Sequence, residues 1–176
     1  NTERLLPGVV IQNNILAANT DGIRISGEPI VVGEQVAAVP FARVINNTLV
    51  GLNTTGTGIT VQDNASPTLL NNIVMQFETG IDIDSSSETT VIGGTLYKDN
   101  DANVSNTNVG EGSFVIQLDT DEVLFVNRGG GNYYLNPGSE AIDSSINTLE
   151  DRAVLTTVKE PLGISPSPIH APDTDV

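Results

Sequence analysis

Asp63, Asp82 and Asp84 put three carboxylates into one short stretch of chain. Hard carboxylate oxygens are what a calcium ion gathers, roughly six to eight ligands at a time. Each aspartate borders an alternating run of β-branched residues: Ile59 to Gln62 before Asp63, and Gly80 to Ile83 around Asp82 and up to Asp84. Arg24 holds the matching place in the run Gly22 to Ile25. Side chains alternate across a strand, so residues two apart share a face. With the isoleucines turned inward, Arg24, Thr60 and Asp82 form one outward set. Ser26, Gln62 and Asp84 form a second, and Asp63 lies at the adjoining turn. Arg24, Thr60 and Asp82 are therefore the candidate ligand-binding residues, and Asp63, Asp82 and Asp84 the candidate calcium set. Carboxylates on a solvated strand face are also ordinary in a chain with 22 acidic and 7 basic residues.

Other clusters offer less chemistry. Asp99, Asn100 and Asp101 lack the glycine and distal glutamate of an EF-hand loop and read as solvated, as do Asp119, Asp121 and Glu122. Glu150 to Arg152 reads as a surface ion pair of little worth. The single histidine, His170, sits in a Pro-rich tail, which supports neither a catalytic triad nor a histidine metal site. Gly129 to Gly131 follows a strand, but no helix pattern or P-loop lysine comes after it. The chain has no cysteine, hence no disulfide, thiolate metal site or thiol nucleophile. No catalytic residue is assigned.

The elements that must position these residues come from a repeat. Val10 to Leu16, Arg43 to Leu49 and Thr68 to Val74 share one theme, each with a central asparagine pair, and each is followed by a glycine and an alternating strand. Such self-similarity marks a solenoid whose repeats are stacked coils. Aligning the asparagines predicts four inward files: Ile11, Val44, Leu69 and Val91; Leu16, Leu49, Val74 and Leu96; Ile23, Ile59 and Ile81; Ile25, Val61 and Ile83. Stacked at ~4.8 Å per coil, Arg24 and Asp82 are ~10 Å apart, within reach of one sugar acid but long for concerted proton transfer. Asn14, Asn47 and Asn72 are expected at a corner that needs positive φ, where they would form an amide ladder, with Gly93 and Gly94 taking that place in the fourth coil.

The corner spacings of 33, 25 and 22 residues imply an insertion at Ile30 to Phe41 and a smaller one within Gly51 to Gly58. The first is apolar enough to pack on a neighbour. After Tyr97 the pattern loosens into a polar linker, Lys98 to Gly112. Strand-like runs return at Phe114 to Leu118 and Val123 to Val126, with turns at Gly129 to Asn132 and Asn136 to Ser139. The aromatic residues gathered in this half are expected to close the open end of the stack. The prediction is an all-β protein, a parallel β-helix over residues 1–160 with about four coils in 9–97 and a closing segment at 113–145. A Pro-rich extended tail follows at 161–176.

A formal charge of -15 repels phosphate backbones and anionic headgroups, so nucleic acid is not an expected partner. No apolar run approaches the ~20 residues of a membrane-spanning helix, so no membrane insertion is expected. The first coil looks uncapped, which would permit end-to-end self-association.

The coil Ser66 to Val74, followed by Gly80 to Ile83, resembles the right-handed parallel β-helix repeats of the pectate-lyase-like superfamily. Leu124 to Asp143 resembles the closing motif of such domains in large bacterial cell-surface and secreted proteins; together the two cover about residues 9–145. The resemblance implies a right-handed coil and an extracellular or bacterial cell-surface location. In members that act on polysaccharides it also implies outward acidic residues holding calcium, with an Arg or Lys that removes or stabilises a proton. Lyases, hydrolases, epimerases and adhesins share this architecture, so fold alone does not choose among them. The expectation is a non-catalytic extracellular scaffold for adhesion, surface display or glycan contact, with a polysaccharide or cell-surface glycan as partner and no cofactor beyond the calcium candidate. The alternative is a fragment of a lyase or epimerase whose reactive groups lie upstream of residue 1 or on the Arg24, Asp82 and Asp84 face. On this reading the chain is the C-terminal piece of a longer protein.

Overall fold

A β-branched residue at every second position makes strands, and a corner that only Asn or Gly accepts without strain breaks them at fixed intervals. The computed structural model describes residues 4–29, 38–106, 108–109, 115–146, 148–149 and 169–170. Its first coil is β1 (Arg4–Gln12), β2 (Ile15–Asn19) and β3 (Ile23–Ser26). The second is β4 (Ala38–Ile45), β5 (Thr48–Gly51) and β6 (Thr57–Gln62). The third is β7 (Thr68–Leu70), β8 (Ile73–Met75) and β9 (Thr79–Ile83). The fourth is β10 (Val91–Gly93), β11 (Leu96–Lys98) and β12 (Ala102–Val104), and β13 (Ile116–Leu118) adds one more strand on β11.

Every pairing within this stack is parallel, and like strands stack on like. The first sheet runs β1-β4-β7-β10, the second β2-β5-β8-β11-β13 and the third β3-β6-β9-β12. This is a parallel β-helix solenoid.

Its interior follows from the register. Ile11, Val44, Leu69 and Ile92 form the file of the first sheet, and Leu16, Leu49, Val74 and Tyr97 that of the second. The fourth-coil members predicted from sequence, Val91 and Leu96, are each one residue out and face outward instead. The asparagine corner of coils one to three aligns with Gly94 and Thr95, not with Gly93 and Gly94, and a one-residue slip turns every side chain to the opposite face. Tyr97, expected at the open end of the stack, is thus a core residue with no exposed surface. The third sheet matches its predicted files: Ile23, Ile59 and Ile81 stack, as do Ile25, Val61 and Ile83, and all six are buried.

The two asparagines of each pair have separate tasks. The first, and not Asn14, Asn47 or Asn72 as the sequence led one to expect, takes the left-handed corner, with φ of 57° at Asn13, 53° at Asn46 and 52° at Asn71, and Gly94 does so in the fourth coil at 55°. The second builds the ladder. Asn14 donates its side-chain and backbone N–H groups to Asn47 Oδ1 at 3.0 and 3.1 Å, and Asn47 does the same to Asn72 Oδ1 at 3.2 and 3.0 Å. Asn47 Nδ2 also reaches the carbonyls of Ile11 and Ile45, and Asn72 Nδ2 that of Val44, so groups at a buried corner find partners.

Two further expectations change. The predicted linker after Tyr97 is structured: Lys98 ends β11 and Ala102 to Val104 form β12, which pairs with β9. Asn100 turns that corner by accepting the Phe77 N–H and donating to the Val74 carbonyl. Of the predicted insertion Ile30 to Phe41, residues 38–41 belong to β4 and pair with β1, and residues 30–37 lie outside the described residues.

The closing segment forms an antiparallel hairpin of β14 (Phe125–Asn127) and β15 (Asn132–Leu135), joined by a 3-10 turn at Arg128–Gly130. It packs laterally, not across the end of the stack. Leu124 and Phe125 are buried with Val50, Met75, Leu96 and Leu118, the outward residues of the second sheet, and Tyr133 meets Phe125 edge to face at 5.4 Å. Ile146 then covers Ile45 and Leu70 on the first sheet and brackets Asn71 with two hydrogen bonds. A short antiparallel pair, β16 (Thr148–Leu149) with β17 (Ile169–His170), is described in the tail; residues 161–168 and 171–176 lie outside the described residues, as do Glu150 to Arg152.

Candidate functional site

With the second sheet covered and the first partly so, the outward face of the third sheet carries the candidate residues. Its register brings Arg24, Thr60 and Asp82 into one row, neighbour on neighbour, and sets Ser26 beside Gln62. Arg24 and Ser26 are exposed, while Thr60, Gln62, Asp82 and Asp84 are half-buried by their neighbours. The row continues into the fourth coil at Ser105, whose hydroxyl donates to Asp82 Oδ1 at 2.6 Å and accepts the Ile83 N–H at 3.1 Å.

Asp63 and Asp84 come together at the corner after the third sheet. The Asp63 N–H donates to Asp84 Oδ2 at 2.8 Å, and Asp63 takes its own left-handed corner at φ 57°. Asp63 Oδ2 accepts the Ser26 hydroxyl at 2.5 Å and the Gln62 amide at 2.8 Å. Asp84 Oδ1 accepts the Ser86 hydroxyl and backbone N–H at 2.7 and 3.0 Å, and Ser86 Oγ accepts the Asn64 N–H. One polar chain thus links coils one, two and three. Asp82 takes no part in it and turns toward Ser105. Among the described residues no three acidic or imidazole side chains converge as a metal site would require.

Burial opposes ionisation of Asp84, but the donors from Asp63 and Ser86 outweigh it and hold the carboxyl below its ordinary value of 3.8. A depressed carboxyl is a poor proton carrier near neutrality, since it stays ionised. Its effect falls on stability. The native state holds the Asp84 proton less tightly than the unfolded chain, so this contribution is complete above pH 3.8 and is lost as pH falls through the lower native value. Asp84→Asn, whose single acceptor oxygen can serve the Asp63 N–H or the Ser86 donors but not both sides at once, is expected to lower the thermal midpoint at neutral pH. The gap to the wild-type protein should close on acidification below pH 3.8; a gap that stays constant into acid would remove Asp84 from the acid response.

The outward partners Ser86 and Ser105 are absent from the sequence-based assignment. Each lies 22 or 23 residues from the group it serves across a coil boundary, and only the correct fourth-coil register would have placed Ser105 beside Asp82. Asp99 lies 3.5 Å from Lys98, and Asp119 donates its N–H to Glu122, so the two minor acidic clusters are engaged in local turns. No family model, curated protein or solved structure matches this chain.

Proposed function

We propose that the chain is a non-catalytic scaffold of an extracellular or cell-surface protein that contacts neutral glycan along the outward face of its third sheet. The observation that supports this most is the row Arg24, Thr60, Asp82 and Ser105, one polar side chain per coil on one face. Its pitch of ~4.8 Å is close to the length of one sugar residue in an extended chain. The net charge of -15 favours a neutral polysaccharide over a polyuronate, which it would repel. Asp63 and Asp84 serve as hydrogen-bond acceptors between coils, and that use accounts for them without a reaction. We read the coils as pectate-lyase-like and right-handed on the residue pattern of Ser66 to Val74 and Gly80 to Ile83, and the surface location on the same resemblance.

Affinity electrophoresis through gels containing neutral polysaccharides or polyuronates tests the reading. At least one neutral polysaccharide is expected to retard the wild-type protein, and Arg24→Ala to weaken that retardation about threefold or more, with no release of reducing ends or unsaturated sugars. Absence of retardation, or retardation indifferent to Arg24→Ala, would refute glycan contact at this face. Release of unsaturated products would instead favour the lyase reading.

A further inference from the structure

Where the closing segment meets the second sheet, the two leave a crevice of about 210 Å³ between the ends of β8 and β11 and the loop 120–125. Lys98 fixes its wall. This lysine is only 6% exposed; its ammonium donates to the carbonyls of Asp119 at 2.6 Å and Thr120 at 2.9 Å, and lies 3.5 Å from Asp99 Oδ2. Its hydrogen-bonding capacity is thereby spent on holding the loop against the fourth coil, which makes the crevice a built feature.

We infer that this crevice binds a single neutral pyranose unit, such as one residue or one end of a glycan chain. Three observations support this inference. First, its volume falls below the roughly 300–1,000 Å³ of sites for drug-sized ligands, so it suits one small ring. Second, its lining is amphipathic: Val123, 63% exposed, gives an apolar edge for the C–H face of a sugar, and Gln76, Asp99, Glu122 and Arg128 add amide, carboxylate and guanidinium groups for its hydroxyls. Third, the charges cancel locally, Lys98 and Arg128 against Asp99 and Glu122, inside a chain of net charge -15. A neutral polyhydroxylic ligand matches that balance, and a uronate does not.

The inference rests on the glycan-contact reading but uses a different surface, so the two can fail separately. Saturation-transfer NMR on the full chain, with the methyl pyranosides of glucose, galactose and mannose and with the corresponding uronates as probes, is the test. Transfer is expected to at least one neutral pyranoside and to no uronate. Arg128→Ala and Gln76→Ala should each weaken binding tenfold or more, and Gln12→Ala, at the exposed end of β1 and outside both surfaces, should leave it unchanged. Thermal melts show whether each variant keeps the fold, and either of the two crevice variants suffices if the other unfolds. Absence of transfer to all three neutral pyranosides, preferential binding of a uronate, or binding indifferent to both crevice substitutions would overturn the inference. Polysaccharide retardation without pyranoside binding would overturn it while leaving the third-sheet reading intact.

Discussion

Gly58→Ala is expected to destabilise the protein by about 3 kcal/mol, the upper end of the usual range for forcing an extra methyl into a packed interior. Gly58 is buried at the entry to the inward part of β6, and a Cβ there would lie 2.5 Å from the Gly80 carbonyl oxygen of the next coil. The same atom would come within 2.8 Å of Val74 Cγ1 and 3.1 Å of Phe77 Cδ2, both on fully buried side chains. The Gly80 carbonyl belongs to a strand paired on both sides, β6 before and β12 after, and has no room to withdraw. Two other glycines separate this packing effect from backbone preference. Gly129→Ala meets only Asn127 Oδ1 at 3.9 Å and should change stability by less than about 0.5 kcal/mol, as surface substitutions do. Gly131 has open space around it but a φ of 77°, so alanine there should cost about 1–2 kcal/mol from conformation alone. Urea unfolding of the three variants gives the comparison; equal midpoints for Gly58→Ala and Gly129→Ala would show that the coils are not in this close contact.

Asn47→Ala is the second large effect. The Asn47 side chain, 1% exposed, donates to three acceptors and receives two donors from Asn14, so its loss strands groups on both neighbouring coils. A buried group left without its partner costs about 1–3 kcal/mol, and the expected loss is about 3 kcal/mol or more. Asn14→Ala removes the exposed end of the same ladder and should cost about 1 kcal/mol, the net worth of an ordinary hydrogen bond. Denaturant midpoints of both variants check the ordering, and a loss at Asn14 matching that at Asn47 would contradict a ladder whose middle rung matters most.

Much of this was legible in the sequence because the repeat writes each corner in the same letters. Three asparagine pairs gave three coils in correct register, and the alternation of Ile23 with Ile25, Ile59 with Val61 and Ile81 with Ile83 gave the inward files of the third sheet, hence the outward row of Arg24, Thr60 and Asp82. The fourth coil lost that signature. With Gly93, Gly94 and Thr95 in place of two asparagines, a shift of one residue was invisible to composition yet exchanged Val91 for Ile92 and Leu96 for Tyr97. Strand β12 escaped notice because Ala102 and Asn103 carry little strand propensity and Val104 stands alone among polar neighbours; the ladder to β9 forms it. The lateral course of the closing segment was written only in outward apolar residues such as Val50, Met75 and Leu96, which a two-faced strand pattern cannot assign to either side. Of the candidate site, the residues on the sheet were placed correctly. Their hydrogen-bond partners were not, since those come from neighbouring coils at spacings the irregular loops disguise.

In a bare solenoid each coil feels only its neighbours, so the stack behaves as a one-dimensional lattice that can fray from an end a layer at a time. The outer apolar cluster breaks that locality. It joins Ala17, Val50, Met75 and Leu96, one from each coil, to Leu118, Leu124 and Phe125, and Ile146 bridges the second and third coils again on another sheet. Contacts that run lengthwise act as a splint: a coil cannot peel away without also disturbing the segment that braces the others. The closing segment thus turns a series of separable layers into one cooperative unit.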